Sequence, residues 1–478
     1  MKTHASVVYR EVGKVNVNSS GKTTRAAIVG CALFIGTALS APASAETMSG
    51  ALAKAYAANP SLNAQRAAQR ATDENVPQAL SGWRPTVNAT GSTSINRLDA
   101  RVPGRHETQT LYPSSMGVQI DQTIFDGNRT RNSVRAAESQ VLGGREQLRN
   151  TEQSLLLNSA SAYMNVLRDT AVLNLQRNNV EVLEEQLRQT QDRFSVGEVT
   201  RTDVAQSEAQ LASSHAQESV AEANLRSSIA TYRQLIGETP RKLGPGVAAE
   251  KFLPKTLEQG IRVGLAEHPA IIAALHGVDV AEFQVKVAES ALYPRLGISA
   301  GVSRNFDSSS TRHSVITSGS IVGQLQIPIY EGGLVYSQTR QAKEVAGQQR
   351  LQVDVVRDQV QQTVVSAWAN LEASKQRISA AQSAVGANEI ALSGTREEAK
   401  VGQRTTLDVL NAQQTLLSSR VSLVTAQRDR IVASYEVLHS IGRLSAETLG
   451  LKVARYDSTQ HFDQVKGKWI GTSTPDGR

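Results

Sequence analysis

Apolar residues recur every seven positions along two long stretches of this 478-residue chain. In the first, Val134, Val141, Leu148, Leu155 and Ala162 are seven apart; the series skips four and resumes as Val166, Leu173, Val180, Leu187 and Phe194. In the second, Ala346, Val353, Val360 and Ala367 are followed, again after four, by Leu371, Ile378, Val385, Leu392 and Ala399. A heptad keeps one stripe of a helix against a partner, and a four-residue stutter locally relaxes the supercoil. About 65 residues rising ~1.5 Å each predict a rod near ~100 Å. Such a rod needs a helical neighbour along its length, not a globular interior. The aromatic content of 4% fits long helices packed edge to edge.

Both rods end on the same phrase. "FSVGEVTRTDV" (Phe194 to Val204) and "AKVGQRTTLDV" (Ala399 to Val409) lie 205 positions apart. Gly197 and Gly402 predict helix ends. Thr200 or Thr202, and Thr405 or Thr406, can cap a returning helix. Each phrase is therefore the tip of a helical hairpin. The repetition extends further: Pro60 matches Pro269 and Pro85 matches Pro294 at an offset of 209, and "IFDGNRTRNSVRAAE" matches "IYEGGLVYSQTRQAKE" at 205. The chain reads as a tandem duplication, 46–240 and 255–450, joined by a Pro- and Gly-rich linker (241–254) and closed by a tail, 451–478. Four extra residues fall between Pro85 and Phe125.

Each half begins with a helical stretch that stops at Pro85 or Pro294. Alternating segments follow. In "SMGVQIDQTIF", Met116, Val118, Ile120 and Ile124 share one face and Gly117, Gln119, Asp121 and Thr123 the other; "TVNATGSTSIN", "LGISAGVS" and "IVGQLQIPI" behave alike. The expectation is two amphipathic strands of about ten residues per half, with Pro328 near a strand end. Residues 1–45 carry five basic residues before the apolar run Ala26–Leu39 and the small residues Ala43 and Ala45. They predict a secretory signal cut after Ala45. Its net +4 leaves +3 of the formal +7, which does not support a nucleic-acid partner. The sole cysteine, Cys31, leaves with it. Beyond that segment no apolar run approaches the ~20 residues of a membrane helix, so a membrane-spanning form has to be a β-barrel. Four strands cannot close one, since about eight is the practical minimum.

Helix, two strands, long helix, tip and return helix, twice over in an exported chain, resembles the TolC family of outer-membrane channel-tunnels, most of all its α-proteobacterial members. The resemblance covers the whole mature chain; the duplication, "QTIFDG" and "IPIYEGG" at the strand-to-helix corners, and the two "VG…DV" tips carry it. It implies an α+β membrane protein. Three chains would form a twelve-stranded barrel continuous with a twelve-helix periplasmic barrel, the linker and tail forming a belt around the rods. It also implies an exit duct for drugs or secreted proteins, partnered by a periplasmic adaptor and an inner-membrane transporter of RND or ABC type. Carried residue by residue, it implies a periplasmic gate: Asp408 matches the first of two family acids, with Asn411 at the second. Arg404 matches an Arg tied to the region of Thr202 and Asp203. The family's tyrosine link falls on Ala399. Three convergent Asp408 carboxylates would repel one another and raise their pKa. Alternatively, Asp408 and Asp203 are first-turn acids favoured by the helix dipole. Val196, Gly197, Val199, Val401 and Gly402 would meet the adaptor.

The rival class is the adaptor itself, which also uses a long hairpin but lacks paired alternating strands. An enzyme is not expected: His106, His215, His268, His276, His313, His439 and His461 show no metal-ligand spacing and read as solvated surface. No cofactor is implied.

Overall fold

The computed structural model describes residues 46–307 and 313–475, all within one unit, Ala45–Arg478; the signal sequence and Cys31 lie outside the described residues. In chain order the helices and strands are α1 (Met48–Ala58), α2 (Pro60–Asp73), α3 (Asn75–Leu80), β1 (Thr86–Thr93), β2 (Asn96–Val102), β3 (Arg105–Leu111), β4 (Ser114–Phe125), α4 (Arg129–Ser195) and α5 (Arg201–Ile236). They continue with α6 (Leu257–Glu267), α7 (Pro269–Glu289), β5 (Arg295–Phe306), β6 (Val315–Gln326), α8 (Leu334–Lys400), α9 (Thr406–Ser440) and α10 (Ser458–Val465).

The two rods, α4 and α8, each have 67 residues. Their heptad stripes face inward: Val141, Leu148, Leu155, Ala162, Val166, Leu173 and Val180 are buried on α4, and Ala346, Val353, Val360, Ala367, Leu371 and Leu392 on α8. The return helices are only 36 and 35 residues long, so each spans half a rod. The rest of the rod is covered by α1–α3 in the first half and α6–α7 in the second. Both stutters fall at this waist, beside the largest apolar cluster, where Leu156, Tyr163, Val364, Leu438 and Leu444 are fully covered. A locally straightened helix offers a broader face than a coiled-coil seam, which suits the place where extra segments pack.

The linker lies at the waist. Glu46 pairs with Leu243 in a parallel bridge, and the Tyr163 hydroxyl lies 2.8 Å from Glu46 O and 2.7 Å from Gly244 O. Burial pushes the Tyr163 phenol up to about 12. The Glu250 carboxylate accepts from Arg430 Nε and Nη2 at 2.9 and 3.1 Å. The tail departs from the expected belt. It climbs along α1–α3: Arg66 is sandwiched between the Tyr56 and Tyr456 rings at 4.7 and 5.1 Å, His461 meets buried Asp73 at 3.0 Å, and Phe462 packs on Val76, Ala137 and Val141.

The strands form one antiparallel sheet in the order β1-β4-β5-β6. Cross-strand register sorts its two faces. Val87, Ile120, Ala300 and Ile321 form one row and Ala89, Val118, Val302 and Gly319 the next; the opposite face holds Asn88, Gln119, Gly301 and Ser320. The apolar side is bare, Ile321 being 81% exposed. The second half has the two strands expected, each of 12 residues, and Pro328 lies just beyond β6. The first half has four segments instead of two. Pro113 has no N–H to give the ladder, so β2–β3 forms a separate two-stranded sheet, yet Thr93 opposite Ser114 and Asn96 opposite Leu111 keep one register. The reversal is Pro103-Gly104, with Gly104 at φ +85°. Thr86–Asp121 and Arg295–Gln326 are equivalent rungs, so the four extra residues lengthen this hairpin by two on each arm.

Candidate functional site

The two tips are built alike. α4 closes with Gly197 N donating to Phe194 O at 3.0 Å and Glu198 N to Arg193 O at 2.9 Å; α8 closes with Gly402 N to Ala399 O at 3.2 Å and Gln403 N to Glu398 O at 2.9 Å. Gly197 and Gly402 sit at φ +80° and +79°, a conformation that costs a side-chain-bearing residue about 1 kcal/mol or more. Thr200 and Thr405, not Thr202 and Thr406, cap the return helices. Each belongs to a capping box: Asp203 Oδ2 accepts from Thr200 N at 2.9 Å, and Asp408 Oδ2 from Thr405 N at 3.0 Å.

These bonds favour the ionised acids. Asp408 is held below the usual aspartate range, first by the Thr405 backbone N–H and then by its hydroxyl. Asp203 is held down in the same way, first by the Thr200 hydroxyl and then by its backbone N–H. Within one protomer the Asp408 shift is thus opposite to the rise expected from convergent carboxylates. Asp408 is a capping acid, equivalent to Asp203. Asn411 is exposed one turn further on and brings no charge.

Arg404 has a partner on its own rod. Within the protomer its Nε donates to Glu398 Oε2 at 2.8 Å, not to Thr202 or Asp203; the last turn of α8 lies closer to Arg404 than the other tip does. Thr202 is exposed on the first turn of α5. Tip one has the mirror image of the Arg404 pair, Arg193 Nε to Glu198 Oε2 at 3.0 Å. Arg193 and Glu398 are 205 apart and occupy equivalent positions, but Glu198 corresponds to Gln403, so the second tip draws its partner from the next residue, Arg404. Val196 and Val401 are each 72% exposed. Val199 is half-buried, lining instead a cleft of about 1420 Å³ between the hairpins, where Glu184, Arg188, Asp203, Arg396, Lys400 and Arg404 mix both signs of charge.

Contacts between the hairpins are polar here: Gln210 to Gln414 at 3.3 Å, Gln413 to Asn179 at 3.5 Å, and Arg428 to Asn165 at 2.9 Å. Within the hairpins the seam mixes apolar contacts with buried polar ones, such as Asn179 Nδ2 donating to Ser214 Oγ at 2.8 Å in the first. Leu392, Val409 and Leu416 pack together in the second. Three histidines differ from the solvated reading. His461 is paired with Asp73 beneath the tail. His268 is buried and caps α7, its Nδ1 accepting from Ala270 N at 3.2 Å, and burial holds it down at about 4. Burial also lowers His439. Capping residues before Pro60 and Pro269 were the available signal: His268 stands where the first half has Asn59. Among the described residues no group of His, Cys, Asp and Glu has the arrangement of a metal site, and no helix is long and apolar enough to cross a membrane.

A bare, two-faced sheet on paired coiled-coil hairpins defines a channel-forming class of membrane protein. The model of the family "Outer membrane efflux protein" matches residues 51–238 and again 261–443, and the chain belongs to that family. Outer membrane efflux protein BepC of Brucella suis biovar 1 is 43% identical over 458 residues, 96% of this chain and 99% of the relative. Outer membrane protein TolC of Escherichia coli K12 is 28% identical over 435 residues, 87% of each. The Campylobacter jejuni CmeC outer membrane channel shares the fold, with a TM-score of 0.74 at 17% identity over 88% of this chain and 89% of that one. The chain is an outer-membrane exit duct extending into the periplasm, and the adaptor reading is set aside.

Proposed function

We propose that three copies close a twelve-stranded barrel in the outer membrane above a twelve-helix periplasmic tunnel. The observation that carries this is the four-stranded sheet, whose edges β1 and β6 have no further strand within the described residues. Strand directions alternate across it, so β6 of one copy meets β1 of the next antiparallel and a ring of copies leaves no edge. Its apolar face suits lipid and its polar face a lumen. The charged β2–β3 hairpin, with Arg97, Asp99 and Glu107, extends beyond the hydrocarbon. Mass measurement in detergent, combined with disulfide trapping between Asn88→Cys and Ser320→Cys of neighbouring copies, tests this closure; a stable monomeric pore overturns it.

The tips are the periplasmic aperture and the surface for an adaptor, which in turn meets an inner-membrane transporter of RND or ABC type. Val196, Val401, Gly197 and Gly402 present small surfaces that a second helical hairpin can approach. A ring of Asp408, one per copy, with no charge from Asn411, favours cations and binds multivalent ones weakly. Asp408→Ala is expected to reduce cation selectivity and trivalent-cation block in single-channel recordings, while Asp203→Ala leaves both unchanged. Equal behaviour of the two variants leaves Asp408 as a cap alone.

A further inference from the structure

The tail reaches the level at which the strands begin. Beyond α10, Arg84 Nη1 donates to Lys468 O at 2.8 Å, and the Arg84 guanidinium stacks 4.7 Å from the centre of the Trp469 ring. Arg84 stands between Trp83 and β1. Trp469 is 66% and Ile470 90% exposed. Other exposed aromatics occupy the same level. Trp83 lies just before β1, Tyr293 just before β5 and Tyr330 just after β6. In a chain with only three tryptophans, two are here.

Amphipathic rings beside cationic groups at one end of an apolar strand band are the signature of a membrane–water interface. We infer that residues 466–470 form an interfacial foot, with Trp469 and Ile470 seated at the headgroup–acyl boundary of the periplasmic leaflet. The inference rests on the reading that the four strands cross the outer membrane. Its ligand is a glycerophospholipid. The Trp469 ring and the Ile470 side chain take the upper acyl region, and the guanidinium donors of Arg84 beyond the one on Lys468 O face the phosphate. The tail is thus a strap fastened at Arg66, Asp73 and Phe462 that meets lipid at Trp469 and Ile470. This fixes the height of the helices beneath the bilayer.

The test is depth-dependent quenching in the full chain. With Trp83→Phe and Trp368→Phe, Trp469 is the only tryptophan. In vesicles of phosphatidylethanolamine and phosphatidylglycerol, its emission is expected to be lost to lipids brominated near the carboxyl end of the chain. Deeply brominated lipid should quench it less, and aqueous iodide should not. Ile321→Trp, in a chain with all three tryptophans replaced by Phe, serves as the control and should respond to deep bromine. Failure of that control overturns the barrel reading itself. Quenching of Trp469 by iodide but not by lipid, with the control intact, overturns the foot. A disulfide between Ile470→Cys and Ile329→Cys of a neighbouring copy, without lipid quenching, reassigns these residues to a contact between copies and also overturns it. If the double Phe variant fails to assemble, a fluorophore on Ile470→Cys in the otherwise unaltered chain reads the same lipids.

Discussion

The two halves close the same joint with different residues. In the first, α5 ends where α2 begins, and Asn59 serves both: its Nδ2 donates to Leu235 O at 2.8 Å while its Oδ1 accepts from Ser61 N at 2.9 Å. In the second, α9 ends where α7 begins, and His268, 209 positions after Asn59, caps only its own helix. That joint closes through Gly442, at φ +78°, where a Cβ would stand 2.7 Å from His268 Cα; Gln153 from α4 donates to Gly442 O at 2.9 Å. At Gly237, the glycine of the first joint, a Cβ would meet nothing within 4 Å. Duplication preserved the requirement, a cap before proline and a left-handed glycine at the helix end. It left free how the two ends are tied.

The largest effect that separates the joints comes from adding a methyl group. Gly442→Ala is expected to cost about 3–5 kcal/mol, backbone strain plus overlap with His268. Gly237→Ala costs about 1–2 kcal/mol, strain alone. Thermal unfolding of the purified assemblies should rank them clearly; equal midpoints would show that the second joint is looser than described.

Acid should also distinguish the halves. His268 is held at about 4 by burial, with His439 and Arg149 as further positive neighbours, against about 6.5 unfolded. A histidine depressed on folding contributes stability that is full above about 6.5 and is lost as pH falls toward 4. The loss is up to about 3 kcal/mol. His268→Asn, which copies the first joint, should flatten the stability profile across that window. An unchanged acid profile would move the sensitivity to His439, whose shift has the same sign.

At the tips the halves should behave alike. Thr200→Ala and Thr405→Ala each remove a capping box and should each cost about 1 kcal/mol locally, read as faster amide exchange in the first turn of α5 or α9. A marked difference would show that one cap is held by a neighbouring copy.

The smallest effects concern the ion pairs Arg193–Glu198 and Arg404–Glu398. Arg193→Ser and Arg404→Ser remove exposed bridges and should leave unfolding unchanged. Conductance is the discriminating measurement: an increase with Arg404→Ser alone would mean that Arg404 leaves Glu398 to hold the closed aperture across copies.

Local pattern determined much of this protein. The heptad stripes, the stutters and the Val-Gly tips are set by residues seven or fewer positions apart, and period-two alternation marked β1, β4, β5 and β6, so they were legible in the sequence. Pro113 divided one hairpin without shifting its register, because losing one N–H interrupts a ladder but leaves side-chain alternation intact. Contacts between distant segments were decided only by tertiary structure. Within the protomer Arg404 pairs with Glu398 because a cation pairs with the acid its backbone brings nearest, and spacing alone does not measure that distance. His268, His439 and His461 left the solvent because helix ends and the tail came to rest on them, through contacts spanning up to 388 residues for His461 with Asp73. The tail carries no strong period of its own. Its course toward the strands came from Arg66, Asp73 and Arg84, which a chain can align only once it has folded.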